Sequence, residues 1–240
     1  MKLKILLFGG SIMLAQSAES PKNSSLSVIT SITVKQDKEI KKEIFNPKWV
    51  DSLQLALPCK NIKVPKQSGY LPNAPRDNRS GIHRGVDFLA NWGTAVHAVA
   101  NGVVVRADHG YMEVPASFRV NMLEASRKVG STPSDIFNNV LLGKAIFIDH
   151  GFGLVPGFRT ITIYAHLSHI EKNIKPGVKV LANEVIGKSG NTGMKASTLG
   201  TKKQSHLHWE MILQNKQHEI YLGQGIPNPE LYEMLNRIFN

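Results

Sequence analysis

Histidine offers the most chemistry in this sequence, because neutral imidazole ligates transition metals and titrates near neutral pH. The chain has nine histidines in 240 residues, unevenly placed. His83 lies four residues before Asp87, with Arg84-Gly85-Val86 between them; His166 follows Tyr164-Ala165; His206 and His208 flank Leu207. Residues two apart on a β-strand project from one face. A strand over 205–211 would therefore turn both imidazoles of His206-Leu207-His208 toward one site, with Glu210 on the same face. Gly85 would let the backbone between His83 and Asp87 approach a neighbouring element closely, so that both side chains could reach one ion. Two imidazoles and a carboxylate are the ligand set of many catalytic zinc sites, whose fourth position stays open for water. Zinc lowers the pKa of such a water to about 7 and polarises a carbonyl, so hydrolysis needs little more than a well-placed proton carrier. His166 and whichever member of the His206/His208 pair does not bind the ion are the candidates for that role.

The elements that must position these residues are short β-type runs separated by glycine, at 85–89, 95–100, 102–106, 145–149, 160–164, 178–181, 185–187 and 206–213. Many short strands with Gly-rich turns predict a mainly β fold of antiparallel sheet. The block 114–142 breaks this texture: 116–125 has helical spacing, and Thr132-Pro133-Ser134-Asp135 reads as the cap and first turn of a second helix. It is expected to be a helical insertion between two strands, acting as a lid or a partner-binding element. Residues 19–66 are polar and lysine-rich and read as a loosely structured N-terminal extension, ended by the Pro and Asn breakers of 70–76. The main domain is expected over 67–215, followed by a tail, 216–240, with a short helix near 228–235. His97 and His150 read as structural, His109, His169 and His218 as solvent-facing, Trp209 as core and Tyr164 as strand packing. Glu210 reads either as a group that orients a ligand or as part of an unrelated salt bridge, and Lys202 and Lys203 read as a solvated loop.

The formal charge is +11, from 29 Lys and Arg against 18 Asp and Glu, which favours an anionic partner. Nucleic acid is not expected, since there is no zinc-finger spacing, basic heptad helix or aromatic-interleaved Lys/Arg stripe. A basic start at Lys2 and Lys4, an apolar run over 5–15 and small residues at 15–18 read as a secretory signal peptide of about 1–18. The apolar run is too short to span a bilayer, for which about 20 residues are needed. Cleavage would remove two lysines and no acid, taking the charge from +11 to +9, for a periplasmic, secreted or wall-associated protein with no membrane span. With Cys59 as the single cysteine, no intrachain disulfide can form, and a zinc site must be built from His and carboxylate ligands.

Seven stretches, taken together and in order, resemble the M23 (lysostaphin/LytM-type) zinc metallopeptidases. They are Gly81-Ile82-His83-Arg84-Gly85-Val86-Asp87-Phe88, Gly93-Thr94-Ala95-Val96, Gly102-Val103-Val104, Ile148-Asp149-His150-Gly151, Tyr164-Ala165-His166-Leu167-Ser168, Gly190-Asn191-Thr192-Gly193 and His206-Leu207-His208-Trp209-Glu210. The resemblance covers about 71–213 and implies a LytM-type antiparallel fold resembling a duplicated hybrid motif. It also implies one Zn2+ held by His83, Asp87 and His208, catalytic roles for His166 and His206, and a peptidoglycan substrate cut at cross-links or stem peptides. In the implied mechanism a metal-activated water attacks a peptide carbonyl; one of His166 and His206 takes its proton and the other helps hold the oxyanion. The sequence departs from the family in the insertion of about 109–144, in a long link over 197–206 and in lacking an evident wall-binding domain. Two other readings compete: a catalytically inactive LytM-type regulator that activates a cell-wall amidase, and a passive wall-binding module, which leaves the histidine spacing unexplained.

Overall fold

The computed structural model describes residues 45–239, so the signal-peptide reading of 1–18 and the first part of the extension, 19–44, lie outside the described residues. Twelve short strands follow in order: β1 Pro75–Arg76, β2 Gly81–Ile82, β3 Val86–Phe88, β4 Ala95–His97, β5 Gly102–Ala107, β6 Ile146–Asp149, β7 Arg159–Ala165, β8 His169–Ile170, β9 Lys179–Val180, β10 Val185–Lys188, β11 Leu207–Gln214 and β12 Glu219–Tyr221. All the pairings are antiparallel. The mainly β, antiparallel fold class expected from the short Gly-separated runs is the one observed.

The site depends on β11. One edge pairs with β7 along its length, from His208 opposite Ala165 to Gln214 opposite Arg159. The other edge pairs with β3 at its start, His208 opposite Asp87, and with β12 at its end. The large sheet continues through β7, β6, β5 and β9, while β4, β10 and β8 form a separate three-stranded sheet.

The period of two along β11 sorts its side chains between two faces. Leu207, Trp209, Met211 and Leu213 enter the main core with Phe88, Tyr164 and Ile186. Ile212 packs instead with Leu142, Ala145, Ile163 and Ala165. Trp209 is therefore core, as read from the sequence. Tyr164 is fully buried, and its hydroxyl accepts from the Val99 N–H at 2.9 Å, so it packs and does not reach a groove.

Two segments differ from expectation. Residues 45–66, read as the loose end of an extension, instead bury Phe45, Val50, Leu53, Leu55, Cys59 and Val64 in the main core. The Leu55 N–H donates to the Ile238 carbonyl at 2.8 Å and the His97 N–H to that of Pro58 at 2.8 Å, fixing the wrap. These apolar residues follow neither a helical nor a strand period, so sequence periodicity could not register them; each fully buried one stabilises by about 1.5–3 kcal/mol. The tail is equally integral: β12 extends the sheet, and the last helix, Glu230–Ile238, buries Leu231, Met234, Leu235 and Ile238. The Phe239 ring then meets that of Trp209 edge-on at 5.0 Å.

The insertion is helical. Helix α1 spans Ala116–Val129 and ends on Gly130 at φ 82°, a left-handed closure that glycine adopts without a Cβ clash. A short helix, α2 (Ser134–Ile136), runs into a π-helical turn at Phe137–Leu141. Met122, Leu123 and Leu141 tie the two together, and α1 packs on the turn Asp77–Arg79. Among the described residues no helix is long and apolar enough to cross a membrane.

Candidate metal centre and its groove

Asp87 and His208 are 121 residues apart in sequence and directly opposite each other across the β3–β11 pair. Cross-strand partners bring their Cβ atoms within about 5.5 Å. His208 Nδ1 lies 2.8 Å from Asp87 Oδ1; His83 Nε2 lies 2.9 Å from that oxygen and 3.0 Å from His208 Nδ1. All three residues are buried, and their ligand atoms lie within 4.8 Å of one another.

The far side of each ligand is already occupied. His83 Nδ1 is 2.8 Å from the Leu71 carbonyl, which can only accept, so Nδ1 carries the proton and Nε2 presents its lone pair. His208 Nε2 donates to Glu210 Oε1 at 2.8 Å, leaving Nδ1 facing Asp87. Asp87 Oδ2 accepts from Arg76 at 3.3 Å. Glu210 is fully buried, and besides orienting the candidate ligand His208 it ion-pairs with Arg84 at 3.1 Å, so both readings of this residue hold.

Two imidazole nitrogens and a carboxylate oxygen thus converge on one point, where a proton or a cation relieves the repulsion of their lone pairs. Burial pushes the His208 imidazole down, but its hydrogen bonds to Asp87 and Glu210 outweigh this and raise it to about 9. On Asp87, burial raises the carboxyl, and the hydrogen bonds of His208 and His83 overcome it to hold the group well below its usual range. The donor set suits a tetrahedral nitrogen and oxygen preference such as that of zinc.

The local backbone explains why the triad closes. A Cβ on Gly85 would lie 2.3 Å from the Trp209 carbonyl oxygen and 3.0 Å from the His208 ring. Only glycine lets the His83–Asp87 segment reach β11, which is the close approach expected from the sequence. Gly85→Ala is expected to destabilise the fold by about 1–3 kcal/mol, a fall of roughly 3–10 °C in melting temperature measurable by calorimetry.

His166 and His206 flank the triad. Their rings meet edge-on with centroids 4.9 Å apart, and the His166 centroid is 5.6 Å from that of His208. His166 leaves β7 at φ 59°, an uncommon conformation for a residue with a Cβ. Its Nδ1 donates to the Thr192 carbonyl at 2.8 Å, its N–H to the Leu142 carbonyl, and burial with the neighbouring His206 and His208 pushes it well below the usual imidazole range. His206 precedes β11, bridges to Gly190, donates from Nδ1 to the Gln204 carbonyl at 2.9 Å and brings Nε2 to 3.5 Å from Asp87 Oδ1. The five polar residues singled out in the sequence all line one cavity of about 190 Å³.

Residues 128–220 match peptidase family M23. The matched segment contains His166, His206 and His208 but begins after His83 and Asp87, the second of which β3 pairs with His208. Among curated proteins none matches the chain. Solved structures similar to it include the catalytic domain of lysostaphin, an antimicrobial peptidase of Staphylococcus simulans, at 24% identity over 70% of this chain and 86% of that one, TM-score 0.38. Csd3 of Helicobacter pylori is 21% identical over 67% of this chain and 30% of its own, TM-score 0.36. A zinc-containing peptidase of Vibrio cholerae is 18% identical over 75% and 39%, TM-score 0.36.

The groove contains site residues that sequence reasoning missed. Arg76, Arg79 and Arg119 line the same cavity, with Phe137, Leu141 and Leu142 of the insertion. Nothing in their spacing announces this, because Arg119 joins the site only through the packing of α1. The insertion is therefore a wall of the groove. The long link over 197–206 is pinned by Asn191, whose Nδ2 donates to the carbonyls of Thr201 and Lys203 at 2.7 and 2.9 Å. The other histidines stay outside: His150 bridges Asn101 and Thr162, His97 is buried beside Pro58, and His109 and His169 are exposed.

Proposed function

We propose that the chain is a zinc-dependent endopeptidase that hydrolyses peptide bonds in bacterial peptidoglycan, in cross-links or stem peptides, and acts after export to the periplasm, cell wall or medium. The observation that carries this reading is the convergence of His83 Nε2, Asp87 Oδ1 and His208 Nδ1, each already oriented by a partner on its far side. When bound there, zinc would supply a Lewis acid that acidifies water and polarises a carbonyl.

The other groups follow from position. His166, fixed through Nδ1 on Thr192, and His206, fixed through Nδ1 on Gln204, each turn Nε2 toward the groove to accept or give a proton, that of His206 at 3.5 Å from Asp87 Oδ1. Both are within general acid–base reach of a peptide lying across the triad. The positive charge of the chain suits an anionic wall polymer. The alternative of an inactive regulator draws no support from the site, since neither a candidate ligand nor a flanking histidine is missing.

Incubating the purified chain with isolated peptidoglycan tests the reading: release of new amino and carboxyl peptide ends, abolished by a chelator and restored by zinc, is the expected result. Bound zinc without new peptide ends would point to a latent enzyme or a missing activator, and failure to bind zinc would transfer the chain to the regulator reading. Glu210→Gln is expected to weaken zinc binding about 10–100-fold, read by competition with a chromophoric chelator, because Glu210 fixes the His208 ring.

A further inference from the structure

Two guanidinium groups in the groove feel carboxylates only at a distance, Arg79 that of Glu210 and Arg119 that of Glu113, and neither makes a direct ion pair among the described residues. Arg79 donates from NH1 to Thr132 Oγ1 at 3.4 Å and from NH2 to the Ile82 carbonyl at 3.2 Å, and lies 5.0 Å from the centre of the Phe137 ring. Arg119 of α1 donates from Nε to the Gly193 carbonyl at 3.1 Å, which leaves its terminal nitrogens unused. Among the described residues neither arginine has a carboxylate within ion-pair distance.

The acids nearby are all engaged. Asp87 is shared by His83, His208 and Arg76, and Glu210 by His208 and Arg84. Glu113 accepts from the Gly193 N–H, the Ser197 hydroxyl and the Tyr111 hydroxyl. Burial and the neighbouring Arg76 push Arg79 down to about 10, a cost that an anion beside it would relieve. Arg79 also faces a second cavity of about 320 Å³, on the other side of Phe137, lined by Arg84, Thr132 and Ser134. A half-buried, unpaired guanidinium is poorly compensated, and its planar fork matches a carboxylate with two parallel hydrogen bonds.

We propose that Arg79, from the core domain, and Arg119, from the insertion, read a free carboxylate on the peptide substrate, so that the enzyme selects peptides bearing an unamidated carboxylate beside the scissile bond. This deepens, and rests on, the peptidase reading above. The insertion then sets specificity by completing one side of the subsite. Arg76 is not part of it, because its guanidinium is committed to Asp87 and to the Gly69 carbonyl.

The test is calorimetric binding of synthetic peptidoglycan stem tetrapeptide to the zinc-loaded full chain, in a His206→Ala background to suppress turnover. The peptide is supplied with all carboxylates free, with the C-terminal carboxylate amidated, and with the diamino-acid side-chain carboxylate amidated. One amide is expected to bind about 10–100-fold more weakly than the free acid, and which one does so identifies the carboxylate. Arg79→Gln and Arg119→Gln should bind the acid as weakly as that amide while keeping their melting temperature. Equal binding of acid and both amides, or a preference that survives both substitutions, overturns the proposal. Absence of binding by any peptide also overturns it; cleavage of isolated wall by the unsubstituted chain then shows that only the carboxylate subsite has failed, and loss of that cleavage shows that the peptidase reading has failed with it.

Discussion

His208→Ala is expected to reduce zinc content from about one ion per chain to background and to lower release of peptide ends from peptidoglycan by about a thousandfold or more. His208 is the strand residue opposite Asp87, and its Nδ1 is within 3.0 Å of both other candidate ligands, so its loss opens one corner of the triad. Zinc contributes several kcal/mol to a hydrolytic transition state, and each 1.36 kcal/mol is a factor of ten in rate. The substitution also leaves Glu210 buried with Arg84 as its remaining partner, so melting temperature should be measured alongside metal content and turnover. Retention of stoichiometric zinc by a folded His208→Ala chain would remove His208 from the ligand set.

The second large effect separates binding of the ion from its use. His166→Ala and His206→Ala are each expected to retain about one zinc per chain while turnover falls about 10²- to 10⁴-fold, the range of a lost general acid or base. Neither ring shares the short contacts of the triad: His206 Nε2 is 3.5 Å from Asp87 Oδ1, and His166 meets His208 at a ring-centroid distance of 5.6 Å. Metal analysis by atomic emission and peptide-end release on one preparation of each variant provide the check. If zinc is lost together with activity in either variant, that histidine belongs among the ligands. If zinc is kept and activity unchanged, the proton carrier lies elsewhere.

Much of this site was legible because strand periodicity is local. The spacing of His206, His208 and Glu210 anticipated a shared direction, and the structure hydrogen-bonds His208 to Glu210 at 2.8 Å. Gly85 signalled a close approach, and the carbonyl of Trp209 is what it approaches. The short Gly-separated runs gave their approximate strand positions for the same reason, since each strand writes its own alternation of residues.

Other features depend on contacts that no short window of sequence contains. Residues 45–66 look polar and irregular in sequence, yet they bury Phe45 and Val50 in the core because that surface is supplied by strands and by the C-terminal helix, far along the chain. Arg79 and Arg119 have no motif and share a groove only because α1 packs on the turn at Asp77–Arg79. The residue types, the strand spacing and the glycine between His83 and Asp87 were therefore determined by the sequence itself. That Asp87 stands opposite His208, that His166 leaves its strand at positive φ toward the same point, and that an inserted helix closes the groove with arginine were decided by tertiary structure, because strand register and packing are long-range properties settled only when distant surfaces meet.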